Sequence, residues 1–544
     1  MQPKNFPFLA VLSLLLAWVF DQLFWQKPIG ISFPLFVLLC LGVGLWLTWR
    51  EGRRIPADIP LASLVLIPLT LFFAVMAFVR QEPLTQFLSF SLALGGLLLT
   101  SLTWLGGGWW RYQLRDYLVN FFRWFGSLFD GAGKALKEYR PSRPREDAEG
   151  EQTNEGARRA SGLKPLWAVL RGLLLALPVL LILASLLAAA DPIFDQMLRQ
   201  AFKIFSLDKL GEYIFRTVYI LVGAYALAGV YLYALRRSEA EKITGDDQPW
   251  PAPFLGWVEA ATLLVCVDLL FAAFVSVQFR YFFGGQANIN LEGYTYATYA
   301  RRGFGELVMV AFLSLLIFLG LNVITRRTDS RQRNIFSGLG IGLVALVGVI
   351  LVSAFQRLLM YEAVYGFTRL RTYTHVFMVW LGLLLLAAVT LEVLRRQRYF
   401  ALALLIFCLG FVLSLGLLNV DALITRQNLN RSQQEQPLDL GYLVSSLSDD
   451  AVPTLFDQFH APATPDETRH AVGGVLACRA ALKAQDTRAN PWPGYHWSRA
   501  SAENLFRTYE AELLAYQTYR DEYNRWYVRV DGVEHPCFVD YYID

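Results

Sequence analysis

The sequence predicts an all-α polytopic membrane bundle of about 11 transmembrane helices, followed by a small α+β domain at the C-terminus. Only 17% of the 544 residues are charged, whereas soluble domains carry about 25% charged residues. Apolar runs recur along the chain up to residue 420, each close to the roughly 20 residues that a membrane-spanning helix needs. The net charge of +4 is too small to favour binding to nucleic acid.

Eleven apolar runs are long enough to be spans. The first contains Asp21 and is not followed by a small-residue cleavage site, so we expect a membrane span rather than a cleaved signal peptide. The predicted spans are residues 6–25, 31–49, 59–79, 86–108, 165–190, 212–235, 254–279, 304–325, 334–356, 373–394 and 399–420.

The distribution of basic residues predicts the orientation of the bundle. If the N-terminus is cytoplasmic and the spans alternate, the inner segments hold more than twice as many lysines and arginines as the outer loops. Cytoplasmic loops retain lysine and arginine, so this orientation is favoured. We therefore expect a multi-pass protein with its N-terminus in the cytoplasm and its C-terminal domain outside.

The chain divides into four predicted regions. Residues 1–110 form a four-span unit, and residues 165–420 form a seven-span core. Between them, residues 111–164 begin with alternating bulky aromatic and basic residues and continue into a polar segment that has little to bury, which predicts a disordered cytoplasmic linker. The aromatic and basic part suits either an amphipathic helix on the inner leaflet or a helix packed under the bundle.

Residues 421–544 form the predicted extracytoplasmic α+β domain. Thr464, Pro465 and Glu467 have the spacing of a capping box at the start of a helix. The stretch 501–516 has the pattern of an amphipathic helix, and 525–539 predicts a hairpin around Asp531 and Gly532.

The same domain contains the two cysteines Cys478 and Cys537. Outside the cytoplasm these thiols can pair as a disulfide, and the alternative is two separate buried thiols. Four of the five histidines lie here as well, without the spacing of zinc ligands, so surface histidines are the better interpretation. We predict neither a metal nor a cofactor.

Polar residues gather where the seventh to eleventh spans meet the predicted outer face. Charges near the hydrocarbon boundary usually face protein or water and pair with one another. They predict an outward-facing polar pocket, and the alternative is a purely structural network of salt bridges. The candidate residues are Gln278, Arg280, Tyr299, Arg301, Arg302, Glu306, Arg357, Tyr361, Glu362, Arg369, Asp421 and Arg426.

One acid lies deeper in the predicted bundle. Asp268 is near the middle of the seventh span, where an ionisable residue suggests proton or cation handling, or a counter-ion. Gly338 and Gly342 in the ninth span fit the small-residue pattern of close helix packing.

Several stretches resemble a known family. "YATYARRGFGELV", "SAFQRLLMYEAVYGFTRLR" and "NVDALITRQNLNR" are similar to segments of the bacterial membrane family called domain of unknown function 4173, or the related 4153, over about residues 250–460. The resemblance implies a bacterial plasma-membrane protein, and it brings no known reaction, ligand or catalytic residue.

Three classes of function fit these observations. The first is a binding, sensing or scaffolding protein that contacts the lipid bilayer and an unknown envelope ligand or protein partner. The second is a transporter with Asp268 in the path. The third is a membrane enzyme that uses Glu306 or Glu362 as acid or base on a lipid-linked or glycan substrate. The first is preferred because it demands no chemistry that the sequence fails to show.

Overall fold

The computed structural model describes residues 6–139, 210–243, 253–282, 304–432, 438–485, 491–523, 525–530 and 532–537. Within this part of the chain, ten helices are long and apolar enough to cross a membrane. They are α1 (Phe6–Phe24), α2 (Ser32–Arg50), α3 (Leu61–Val79), α4 (Pro83–Thr103), α6 (Leu210–Arg236), α7 (Trp257–Phe282), α8 (Phe304–Ile324), α9 (Ser330–Tyr365), α10 (Arg369–Val393) and α11 (Phe400–Leu418).

The polytopic helical fold predicted from hydropathy is confirmed. Each of the ten helices overlaps a predicted span, while the predicted span 165–190 and the predicted linker 140–164 lie outside the described residues. Helix α9 is longer than its predicted span because it has 36 residues, or about 54 Å at 1.5 Å per residue. A bilayer core of about 30 Å accommodates only part of that length.

The helices pack in two groups. In the second group α9 lies against α7, α8 and α10, and α10 lies against α11. In the first group α3 packs on α4, and α6 packs against α1 and α4, although it follows the predicted linker in sequence. Helix α11 also contacts α4, so the two groups touch. Large apolar side chains such as Leu269, Leu270 and Leu386 stay exposed, as contact with lipid requires.

A further helix, α5 (Leu114–Tyr139), also packs against α6. Its exposed side chains Leu114, Leu118 and Phe122 recur every four residues and form one apolar stripe. On its other side, Asp116 and Asn120 are buried. The helix therefore packs on the bundle through its polar face and leaves an apolar face uncovered within the described residues.

The C-terminal domain consists of short helices and one small sheet. Its elements are α12 (Val420–Ser432), α13 (Val452–His460), α14 (Asp466–Ala484), α15 (Trp497–Thr508), α16 (Glu510–Leu513), β1 (Gln517–Arg520), β2 (Trp526–Val530) and β3 (Val533–Pro536). The strands form an antiparallel sheet in the order β1-β2-β3. Strands β2 and β3 form the predicted hairpin, with Val530 opposite Val533 and Gly532 at a positive φ of 82°.

Two local predictions for this domain were wrong. Thr464 does not cap α14, because its hydroxyl donates to the carbonyl of Gln458 at 2.8 Å and the helix begins at Asp466. The predicted helix 501–516 is not continuous, because α15 ends at Thr508 and the short helix α16 follows it before strand β1, which the sequence did not predict. Tyrosine and threonine favour a strand once β2 offers a partner.

The domain and the bundle share one hydrophobic core. Leu415 and Ile424 belong to the same cluster of buried side chains as Leu476 and Val528. The loop between α1 and α2 also touches the domain, because the amide of Ile31 donates to the carbonyl of Tyr495 at 2.8 Å. We call the end of the bundle that carries this domain the domain end.

Candidate functional site

A buried ion pair links α10 to α12 at the domain end. Arg369 is the first residue of α10, and its Nε and Nη2 lie 2.8 and 2.5 Å from the two carboxylate oxygens of Asp421. Asp421 is fully buried and also accepts the backbone N–H of Ser448 at 2.6 Å. A bidentate pair of this kind fixes both the distance and the orientation of the two helices.

Glu82 joins the start of α4 to α10. Its carboxylate accepts the backbone N–H groups of Leu84 at 2.7 Å and Thr85 at 2.8 Å, which caps the first turn of α4. The hydroxyl of Tyr373 in α10 donates to the same carboxylate. A negative charge at a helix N-terminus is favourable, so Glu82 stabilises α4 while it anchors α10.

The C-terminal domain contributes Asp450 to the same region. One oxygen of Asp450 accepts the backbone N–H groups of Gln81 at 2.8 Å and Glu82 at 3.0 Å. Burial raises the pKa of Asp450 above its ordinary value, while these hydrogen bonds and the charge of Arg80 act in the opposite direction. The domain therefore binds the α3–α4 loop through a carboxylate that is buried away from solvent.

A second cluster in the domain supports this contact. Lys483 lies 2.8 Å from Asp449, and the buried Arg479 donates to the carbonyls of Leu443 at 2.9 Å and Ser448 at 2.7 Å. Burial lowers the pKa of Arg479, against the attraction of Asp449. We call the set Glu82, Arg369, Tyr373, Asp421, Asp450 and Arg479 the docking network.

The docking network holds elements together. Its guanidinium and carboxylate groups make ion pairs, cap a helix and satisfy backbone groups in α4, α10, α12 and the C-terminal domain. Such an arrangement leaves little hydrogen-bonding capacity for a ligand, and it fixes the position of the domain on the bundle.

A row of polar groups follows α9 inside the bundle. In its middle, Gln278 of α7 accepts hydrogen bonds from the hydroxyl of Ser353 at 3.1 Å and from Nη2 of Arg357 at 2.9 Å. All three side chains are buried. These contacts place a permanent charge between α7 and α9.

Nearer the domain end, Glu362 is fully buried in α9. Nδ1 of His375 in α10 lies 3.3 Å from its Oε1. Among the described residues, no group makes a hydrogen bond with either carboxylate oxygen of Glu362 or with Nε2 of His375. Burying a carboxylate without hydrogen-bond donors is energetically costly.

Asp268 lies at the other end of this row. Its Oδ2 is 3.4 Å from the position that a Cβ would take at Gly342, so the glycine leaves room for the carboxylate against α9. Within the described part of the chain, Oδ1 has no hydrogen-bond partner. The row therefore begins and ends with an acid that has unused acceptor atoms.

The remaining candidates of the predicted pocket are exposed, contact other side chains, or lie outside the described residues. Glu306 in the first turn of α8 and Arg426 in α12 are exposed, and the guanidinium of Arg371 lies 4.2 Å from the ring of Tyr361. Three candidates lie outside the described residues: Tyr299, Arg301 and Arg302. The side chain of a fourth candidate, Arg280, also lies outside them. The structure thus joins Arg369 with Asp421, Gln278 with Arg357, and Glu362 with His375.

The structure contains two further groups of ion-paired residues that the predicted site did not include. Arg216 of α6 forms a bidentate ion pair with Asp21 of α1. At the opposite end of the bundle, Glu392 accepts hydrogen bonds from Arg327 at 2.9 Å and Ser337 at 3.0 Å. Charged residues inside apolar spans were the signal for both, because such residues usually pair across helices.

The described residues contain one disulfide and no cluster that could bind a metal ion. Cys478 and Cys537 form a disulfide between α14 and the residue after β3, with their Cα atoms 5.3 Å apart. Among the described residues, no group of three or more histidine, cysteine, aspartate or glutamate side chains could hold a metal ion.

Comparison with known proteins identifies the family without assigning a reaction. A family model described as "Domain of unknown function (DUF4153)" matches residues 67–458, which is most of the chain. No curated protein and no solved structure matches. The match agrees with the second of the two related families suggested by the sequence motifs, and the chain belongs to the DUF4153 family.

Proposed function

We propose that this protein binds or senses a ligand of the bacterial envelope through its C-terminal domain, and that the membrane bundle is the scaffold for that domain. The observation that carries the proposal is the attachment of the domain. It shares a hydrophobic core with α11 and α12, and the docking network binds it to α4 and α10. A domain held this firmly can transmit a change in its own structure to the helices below it.

Two observations support an extracytoplasmic location for the domain. It contains the Cys478–Cys537 disulfide, and structural disulfides persist mainly in oxidising compartments. The distribution of basic residues along the sequence favours a cytoplasmic location for the end of the bundle opposite the domain. Together they support a location for the domain on the side of the membrane where envelope ligands are found.

The domain has an open cleft of about 560 Å³ beside the edge strand β1. It is lined by Leu514, Tyr516, Gln517, Thr518, Tyr519, Arg529 and Glu534. Two tyrosine rings, an amide and a pair of opposite charges can bind a small ligand that has both polar and apolar parts. We therefore assign ligand binding to this cleft.

The test compares variants of the cleft with a matched surface variant in a deletion strain. We expect the double variant Tyr519→Ala, Arg529→Ala to be as abundant as the natural protein and to fail in correcting the envelope and lipid profile of the strain. Arg525→Ala removes an exposed arginine directly before β2 that does not line the cleft, and it should restore that profile. Full function of the cleft variant would overturn the proposal.

A second candidate function is transport of protons or cations, and the polar row along α9 favours it. The row contains Asp268, Ser353, Arg357 and Glu362, and both acids have unused acceptor atoms among the described residues. Transport pathways are commonly marked by intramembrane acids of this kind.

Uptake measurements with the purified protein in vesicles test this second function. Asp268→Asn and Glu362→Gln should each abolish proton or cation flux while leaving the protein folded. Glu306→Gln, which changes an exposed acid at the start of α8, serves as the control and should leave flux unchanged. Equal flux in all three variants, or no flux above empty vesicles in the natural protein, would exclude transport.

A further inference from the structure

An apolar cavity lies in the part of the bundle near α5. It has a volume of about 260 Å³, is partly open, and lies between α2, α4 and α6, with Trp124 of α5 along its wall. The residues that line it lie in the middle of α2 (36–44) and in the later parts of α4 (94–104) and α6 (227–235). Because α2, α4 and α6 begin at the domain end, the cavity extends from the middle of the membrane into the half opposite the domain.

The polar groups in the wall of this cavity are almost all satisfied by the protein. The hydroxyls of Thr100 and Ser101 donate to carbonyls of their own helix at 2.7 and 2.8 Å. The hydroxyl of Tyr231 donates to the carbonyl of Cys40 at 2.9 Å. The wall therefore offers an occupant mainly hydrocarbon, and an apolar occupant is favoured.

Two tryptophans in the wall differ in whether the indole N–H has an acceptor among the described residues. The indole N–H of Trp104 donates to the hydroxyl of Thr48 at 2.9 Å. The indole nitrogen of Trp124 is buried, and no described residue accepts its hydrogen. Burying a donor without an acceptor is unfavourable, so an occupant that supplies an acceptor beside Trp124 is favoured.

Helix α5 determines the depth at which this acceptor must lie. Helix α5 runs antiparallel along the end of α6, because Asn120 donates to the carbonyl of Lys242 beyond that end and a Cβ at Gly229 would lie 3.1 Å from Leu128. The end of α6 opposite the domain lies near the boundary between headgroups and acyl chains. The ester carbonyls of phospholipids lie at that boundary. Trp124 lies between Asn120 and Leu128 and faces the last turns of α6, so its indole N–H is near the level of an ester carbonyl and beside a cavity lined with hydrocarbon.

We propose that this cavity holds one acyl chain of a phospholipid from the leaflet next to α5. An ester carbonyl oxygen of that lipid accepts the indole N–H of Trp124, and the chain extends between α2, α4 and α6 toward the middle of the membrane. The bound lipid thereby connects α5 with the helices on which it packs.

Photocrosslinking in vesicles tests this proposal with the full chain. The vesicles contain phosphatidylethanolamine and phosphatidylglycerol, with a small fraction of phosphatidylethanolamine whose acyl chain carries a terminal diazirine. After illumination, mass spectrometry maps the labelled peptides. We expect strong labelling of the segments that line the cavity, well above the labelling of lipid-exposed residues on α7.

Two glycines of α2 provide a matched pair of variants. Gly44 lines the cavity, and a Cβ there would be 3.6 Å from the ring of Tyr231, which is ordinary contact. Gly42 is exposed on the same helix, and a Cβ there would meet nothing within 4 Å. Gly44→Leu should reduce labelling of the cavity several-fold, whereas Gly42→Leu should leave it unchanged.

The hydrogen bond to Trp124 has its own test. Trp124→Phe keeps an aromatic ring and removes the donor, so it should lower labelling by the diazirine phospholipid. Labelling by a diazirine alkane, which has no ester, should not change. Equal labelling of the cavity in both glycine variants would overturn the proposal, and so would equal phospholipid labelling in Trp124→Phe and the natural protein.

Discussion

Asp421 carries a charge in a position where water cannot reach it. Arg369 and the amide of Ser448 supply its hydrogen bonds, and its side chain is fully buried. Removing one partner of a buried ion pair leaves the other charge without compensation, which typically costs about 3–5 kcal/mol. This single contact is therefore a sensitive indicator of whether the domain is attached to the bundle as described.

We predict that Asp421→Asn lowers the unfolding temperature of the detergent-solubilised protein substantially, because Arg369 stays buried without its counter-ion. The double variant Arg369→Met, Asp421→Leu removes both charges and should recover much of the loss. Arg426→Gln on the same helix changes an exposed residue and should have little effect. A thermal scan followed by size-exclusion chromatography measures all three. An unchanged transition in Asp421→Asn would contradict the buried pair.

The cysteines give a second prediction for individual residues. Cys478 and Cys537 are paired, whereas Cys40, Cys266 and Cys408 are free. A maleimide polymer added to the denatured protein should therefore modify three thiols without reduction and all five after it. Cys478→Ala with Cys537→Ala should lose about 4 kcal/mol of stability in the domain, since the bond closes a loop of 59 residues. Five reactive thiols before reduction would refute the pairing.

The sequence indicated only part of the candidate site. It predicts that Arg369 and Asp421 lie at the same membrane face, because both flank spans, but 52 residues separate them and no pattern predicts their pairing. Glu82 directly precedes Pro83, which is a recognisable helix-start signal. Its contact with Tyr373 depends on tertiary packing and could not be read from local sequence.

At the scale of elements, the segment before α5 contacts Glu241, whose carboxyl group packs against two glycines. Oε2 of Glu241 accepts the amide of Gly108 at 2.9 Å, and a Cβ at Gly106 or Gly108 would overlap the carboxyl group. Asn120 of α5 donates to the carbonyl of Lys242 at 3.1 Å. These contacts fasten α5 to the segment that follows α6.

The titration of Glu241 makes this contact sensitive to pH. Burial raises the pKa of its carboxyl to about 7, well above the ordinary value of about 4.3. The folded state therefore holds the proton more tightly than the unfolded state. The resulting stabilisation is complete below the ordinary pKa and is lost as the pH rises through about 7.

We predict that the start of α5 opens more often at pH 8 than at pH 6. Hydrogen exchange of residues 108–128, corrected for the intrinsic effect of pH, measures this opening. Glu241→Gln cannot ionise and should show the same protection at both values. If the natural protein and this variant respond equally to pH, Glu241 is not the responsible group.

Elements defined by hydropathy were the easiest to predict, and short elements the hardest. Ten of the eleven predicted spans overlap helices in the described part of the chain, because about 20 apolar residues in a row have few alternatives to a membrane helix. Strand β1 has four residues and exists because β2 pairs with it. Four residues are too few for a clear alternating pattern, so local sequence did not predict this strand.

At the scale of the whole molecule, neighbours in the bundle do not follow chain order. Helix α6 packs on α1, and the ion pair between Asp21 and Arg216 fixes that contact. Hydropathy places a helix in the membrane but carries no information about which helix lies beside it. The predicted division into a four-span and a seven-span unit remains a prediction, and the packing of α6 ties the two parts of the chain together.

The orientation of the whole molecule is the last prediction. The basic residues favour a cytoplasmic side at the end opposite the domain, and the disulfide favours an oxidising compartment for the domain. Alkaline phosphatase, which matures only outside the cytoplasm, should be active when fused after Asp544 and inactive when fused in the α8–α9 loop after Arg327. A fluorescent protein that matures in the cytoplasm should give the reverse result. Phosphatase activity at Arg327 with none at Asp544 would invert the bundle, which would place the cleft of the C-terminal domain in the cytoplasm and remove the basis for an envelope ligand.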